Sequence, residues 1–153
     1  MKKMKKMFVL ALSLICIAGM ATGCSTSNSM SYTFSVDNGD SVKVELDTTD
    51  GYKMTSDIPF AISKGEDALS QGIFMQGEVY DQYADVISKD ESAEMLDSGT
   101  KDGNDYIFWC YNGQEYNYAM KIAASNTGMI LGNIVSEESA RECFDRLTVT
   151  VAE

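Results

Sequence analysis

The chain has 153 residues, 23 acidic against 12 basic side chains, a formal net charge of −11 and no histidine. Such an acidic surface repels phosphate backbones and anionic headgroups, which excludes nucleic acid as an electrostatic partner. The missing imidazole removes Ser-His-Asp and Cys-His catalysis, His-ligated metals and the commonest general base near neutral pH; the chain reads as a non-enzyme that needs no cofactor.

Four lysines fall within the first six residues, followed by the apolar run from Phe8 to Ala18 and then by small residues. Charged, apolar, small is the layout of a secretory signal. The run is also shorter than the ~20 residues that a membrane-spanning helix needs. At its end, Ala21-Thr22-Gly23-Cys24 resembles the lipobox of bacterial lipoproteins, with Ala21 at the position where leucine or another aliphatic residue is usual. The resemblance implies that the Cys24 thiol receives a diacylglyceryl group, that a peptidase cuts just before it, and that acylated Cys24 becomes the N-terminus. A cysteine suits that role because its thiolate is the side-chain nucleophile most easily alkylated near neutral pH. The alternative is a plain secreted protein with a cysteine at this place by chance.

On the lipoprotein reading, residues 1–23 are a signal peptide, residues 24–31 are the lipidated cysteine and a flexible tether, and residues 32–153 form a single domain. Removing residues 1–23 takes four lysines and no acidic residue, leaving 130 residues with a net charge of −15. The protein is then expected on the cell membrane, facing outside the cytoplasm, with the lipid on Cys24 as its membrane partner. The uncharged links from Ser25 to Ser31 reach only ~15 Å as a flexible chain.

The first element after the tether is a hairpin: Tyr32, Phe34 and Val36 alternate before Asp37-Asn-Gly-Asp40, and Val42, Val44 and Leu46 alternate after it. Asp47-Thr-Thr-Asp-Gly51 reads as a turn, with Tyr52 and Met54 opening a short strand. Ile58 to Ile62 reads as an edge or strand-start segment because Pro59 has no N–H to donate, and Ile73-Phe74-Met75 is expected to pair with it across Lys64 to Asp67. Val79, Tyr80, Tyr83, Val86 and Ile87 then fall on one face of a helix, with Glu78 and Asp81 at its positive end. Ala93 to Leu96 reads as a strand.

Two hairpins follow. With Asn112-Gly113 as a two-residue turn, Trp109 faces Tyr116, Ile107 faces Tyr118, and one sheet face carries Trp109, Tyr111, Tyr116 and Tyr118 together. Ser125 to Gly128 turns into a strand over Met129 to Val135. Ser136 is a good N-cap for a last helix, whose stripe is Ala140, Cys143, Phe144 and Leu147, and Thr148 to Val151 closes the chain as an extended tail or an edge strand. These elements give an α+β fold: an antiparallel sheet of about six or more strands with two helices packed on it. Their order, from Gly51-Tyr52 through hairpin, helix, three-strand meander and terminal helix, resembles small PsbP/Mog1-like domains. That family implies a scaffold and no particular reaction.

Three groups of residues carry candidate chemistry. Trp109, Tyr111, Tyr116 and Tyr118 form either part of the core or a platform for stacking on sugar rings. Cys110 and Cys143, the cysteines left once Cys16 departs and Cys24 is acylated, form either a disulfide, which export permits, or two buried thiols. The stretch from Asp97 to Asp105 fails as a calcium loop because Gly99 and Lys101 occupy ligand positions, so it reads as a turn and no metal site is expected. The function expected from these residues is a non-catalytic binding or interaction module with a protein or glycan partner. The alternatives are a surface glycan-active enzyme using paired carboxylates and an accessory subunit of a membrane complex.

Overall fold

The computed structural model describes residues 22–25 and 28–152, so all but the last two residues of the signal peptide expected over residues 1–23 lie outside them. Among the described residues, eleven strands form two antiparallel sheets, and two helices pack against the larger. The fold is α+β. The large sheet with two helices packed on it is as expected, and the N-terminal hairpin and the last strand add a second sheet of their own.

That smaller sheet contains β1 (Thr22–Ser25), β2 (Ser29–Ser35), β3 (Ser41–Asp47) and β11 (Leu147–Val151), in this order. Phe34 pairs with Val42 and Tyr32 with Val44, as the alternation requires. The alternation also runs further back than expected: Met30 stands opposite Leu46 and packs against the core. The ordered domain therefore includes Ser29 to Ser31, and Ser25 belongs to β1, so the segment read as a tether is largely strand.

The larger sheet contains β4 (Tyr52–Met54), β5 (Phe60–Lys64), β6 (Asp67–Gln76), β7 (Ala93–Lys101), β8 (Asn104–Tyr111), β9 (Glu115–Lys121) and β10 (Thr127–Asn133). Their spatial order is β4-β5-β6-β10-β9-β8-β7. β6 starts at Asp67, earlier than read. Phe60 therefore pairs with Gly72, and Ile73 pairs with Ile130 of β10. Position 72 has to be glycine, because a Cβ there would lie 2.1 Å from Cζ of the Phe60 ring.

Helix α1 (Gly77–Lys89) covers one face of this sheet. Val79, Tyr83 and Ile87, spaced at i, i+4 and i+8, are buried against Met75, Ile107, Trp109, Tyr111, Ala119 and Ile130. Helix α2 (Glu137–Asp145) and the smaller sheet cover the other face, where the larger core lies. Phe34 of β2 stacks on Phe60 with ring centroids 5.7 Å apart and meets Phe74 at 5.3 Å. Burying each such ring contributes roughly 1.5–3 kcal/mol.

Side-chain hydrogen bonds tie these layers together. Asn104 Nδ2 donates to the carbonyl of Val149 in β11 at 2.8 Å, and its Oδ1 accepts from the Ala123 N–H at 2.8 Å. At the tip of the first hairpin, Asp40 Oδ2 accepts from Thr127 Oγ1 at 2.7 Å and from the Asn126 N–H at 2.8 Å. Among the described residues, no helix is long and apolar enough to cross a membrane.

Candidate functional site

The four candidate rings do not share a face. Asn112 and Gly113 take positive φ values of 52° and 66°, and the Gln114 N–H donates back to the Tyr111 carbonyl, as a primed two-residue turn requires. Yet the ladder pairs Tyr111 with Glu115, leaving Gln114 as an extra residue. The register therefore slips by one, and a slip of one moves every side chain of a strand to the opposite face. Trp109 pairs with Asn117, and Phe108 pairs with Tyr118.

Trp109 and Tyr111 consequently sit beneath α1, whereas Tyr116 and Tyr118 lie on the α2 side. Trp109 is 2 % exposed, and its ring lies 5.7 Å from that of Tyr83. On the α2 side, Phe108, Tyr118 and Phe144 form a stack, with centroids 4.0 and 3.8 Å apart and planes nearly parallel. Tyr116 stands at one end of it, 6.4 Å from Phe108, and is half-buried. The flat sugar platform is thus corrected to two buried clusters with one half-buried ring.

Burial also sets the tyrosine acidities. Desolvation pushes Tyr83 up to about 12, and it pushes Tyr118 well above the ordinary phenol value. Tyr52 rises to about 12 as well, first from burial and then because its hydroxyl donates to Glu142 Oε2 at 2.7 Å.

Cys110 and Cys143 are both free and buried, so the disulfide is corrected. They do lie on the same side of the large sheet. Cys143, however, sits in the core of α2 with the hydroxyls of Ser70 and Ser139 as its polar neighbours, whereas the neighbour of Cys110 is Tyr116 across the β8–β9 ladder. Burial pushes the Cys143 thiol up, which suits an inert core residue and disfavours a nucleophile.

The stretch from Asp97 to Asp105 is mostly strand. β7 runs to Lys101, a bulge falls between Met95 and Asp97, and the turn contracts to Asp102-Gly103, both with positive φ. Among the described residues, no group of three or more His, Cys, Asp or Glu side chains is placed to hold a metal ion.

Several residues that the sequence did not single out do the positioning here. Arg141 lies with its guanidinium carbon 4.7 Å from the centre of the Phe108 ring and bridges Glu137 at 2.9 Å and Asp97 at 3.7 Å. Both carboxylates are thereby committed to the same cation. The signal was present as an i, i+4 Glu-Arg pair on the last helix. Lys101 Nζ donates to the carbonyls of Phe144 and Leu147, covering the C-terminal end of α2.

Asn133 ends β10. Its Oδ1 accepts from the N–H groups of Val135 and Ser136 at 2.8 and 3.2 Å, while its Nδ2 donates to Ser70 Oγ and Ser139 Oγ at 2.9 and 3.0 Å. The strand expected to reach Val135 stops there, leaving Ile134 80 % and Val135 55 % exposed.

The remaining candidate, Cys24, lies in β1 at the outer edge of the smaller sheet, with its backbone opposite Ser31. No protein-family model, curated protein or solved structure matches the chain. The fold therefore defines the protein by its class, an α+β domain of two antiparallel sheets and two helices.

Proposed function

We propose that this chain is a lipid-anchored extracytoplasmic lipoprotein that acts as a non-catalytic binding or interaction module. The observation that carries the reading is Ala21-Thr22-Gly23-Cys24 placed directly behind a lysine-rich start and an apolar run. Two acyl chains make a stable anchor where one binds marginally, since each buried methylene contributes ~0.8 kcal/mol. The acidic body itself repels anionic headgroups, so on this reading the lipid alone holds the protein to the membrane. An antiparallel sheet with a helix on each face supports the PsbP/Mog1-like scaffold as the frame of the module, and the second sheet is an addition to that plan.

Expression in a bacterial host fed labelled palmitate tests the anchor. The wild-type chain should take up label and lose residues 1–23, and Cys24→Ser should do neither. Label retained by Cys24→Ser, or no label on the wild-type chain, contradicts the reading.

One observation favours the accessory-subunit form of this function. Ile134 and Val135 are adjacent, exposed and fixed by the Asn133 turn, which suits a contact with a protein partner on the same membrane. Ile134→Asp should release such a partner from the solubilised complex while leaving the thermal midpoint unchanged.

A further inference from the structure

We infer that the pairing of β1 with β2 regulates processing at Cys24, an inference that rests on the lipoprotein reading and concerns the same peptide bond. Gly23 stands opposite Tyr32 and Cys24 opposite Ser31, so the Gly23–Cys24 bond is part of the sheet ladder. A second observation fixes that register. The Tyr32 ring lies against Gly23 so closely that a Cβ at position 23 would sit 2.7 Å from Tyr32 Cε1 and 2.9 Å from Cδ1. Tyr32 in turn packs against the core, with its ring 6.3 Å from that of Phe34. Glycine at 23 therefore does two things: it is the small residue before the cut, and it makes room for a core-anchored ring.

The step itself is a hydrolysis. Water adds across the Gly23–Cys24 amide, the C–N bond breaks, the new carboxylate leaves with Gly23 and the amine stays on Cys24. A peptidase has to hold the chain around that bond in its own cleft, and a strand paired with β2 reaches such a cleft only through local opening. An unfolded, newly exported chain is cut directly; a chain that folds first is cut only as often as β1 peels away. The cut also acts in one direction. Gly23 departs with the signal segment, the face of Tyr32 that it covered is bared, and the rung at Tyr32 has no partner with which to re-form.

The experiment follows the full-length chain in a bacterial host. Precursor is accumulated under a reversible signal-peptidase inhibitor until it has folded, the inhibitor is removed, and conversion to the mature form is timed against chains processed as they are made. The folded wild-type precursor should convert at least ~10-fold more slowly than new chains, because cleavage then follows the population of the opened strand. Gly23→Ala, which keeps a small residue before Cys24 but displaces the Tyr32 ring, should convert faster from the folded state. Tyr32→Ser, which leaves the cleavage sequence intact, should do the same. Equal rates for folded and new wild-type chains, or no acceleration in either variant, overturn the gating while acylation of Cys24 still stands. Absence of acyl groups from every form overturns the lipoprotein reading, and the gating with it.

Discussion

Trp109 and Tyr83 face each other across the layer between α1 and the large sheet, and each makes a measurable claim. Trp109 is 2 % exposed, enclosed between the Tyr83 ring and the apolar side chains of the layer beneath α1. Tryptophan emission should therefore be blue-shifted and only weakly quenched by iodide or acrylamide, with full quenching appearing on unfolding. Strong quenching of the native protein would return the ring to the surface. Tyr83 is pushed up to about 12 by burial, so the folded chain holds that proton more tightly than the unfolded chain, whose tyrosine titrates near 10. Its contribution to stability is fully present below pH about 10 and is lost as pH rises toward 12; the loss is on the order of 2 kcal/mol. Denaturant unfolding between pH 9 and 12 should show this decline, and Tyr83→Phe should make it shallower by its own share while the shares of Tyr52 and Tyr118 remain.

Among the elements, short-range signals were legible and register was not. The first hairpin, the stripe of α1 and the Ser136 cap are all readable from period and turn chemistry, and the Ser136 hydroxyl does accept from the Ser139 N–H at 3.0 Å. Asn112-Gly113 was equally readable as a turn. What the pattern does not reveal is whether pairing resumes at Gln114 or at Glu115, because apolar residues run along both faces of β8, both of which are covered. That single residue decides which of Trp109, Tyr111, Tyr116 and Tyr118 lie together. Asn133 is a similar case: the apolar run continues to Val135, and only the contacts of its amide with Ser70 and Ser139 reveal the stop. Those two donors and two acceptors make Asn133→Ala an informative variant. It should lower the unfolding free energy by about 2–3 kcal/mol, since buried partners lose their bonds, with little change in the slope against denaturant. A loss under 0.5 kcal/mol would show that the network does not hold α2 to the sheet.

At the scale of the molecule, the separation into two sheets depends on contacts that lie far apart in sequence. β11 pairs with β3 across about a hundred residues, and Asn104 and Lys101 reach the last helix and strand from the β7–β8 turn. No local pattern encodes these pairings, so the second sheet is not legible in the sequence. The chain start carries the opposite kind of information: Lys-rich, apolar and small residues ending at Cys24 are legible in sequence, whereas the structure adds that the cysteine backbone belongs to an edge strand and that the Tyr32 ring lies against Gly23. The central claim, an acidic module held outside the cytoplasm by lipid on one residue, is tested most directly by the intact mass of the protein purified from its native host. The mass should fit a chain beginning at Cys24 with a thioether-linked diacylglyceryl group. A mass retaining residues 1–23, or a bare thiol at Cys24, would contradict it.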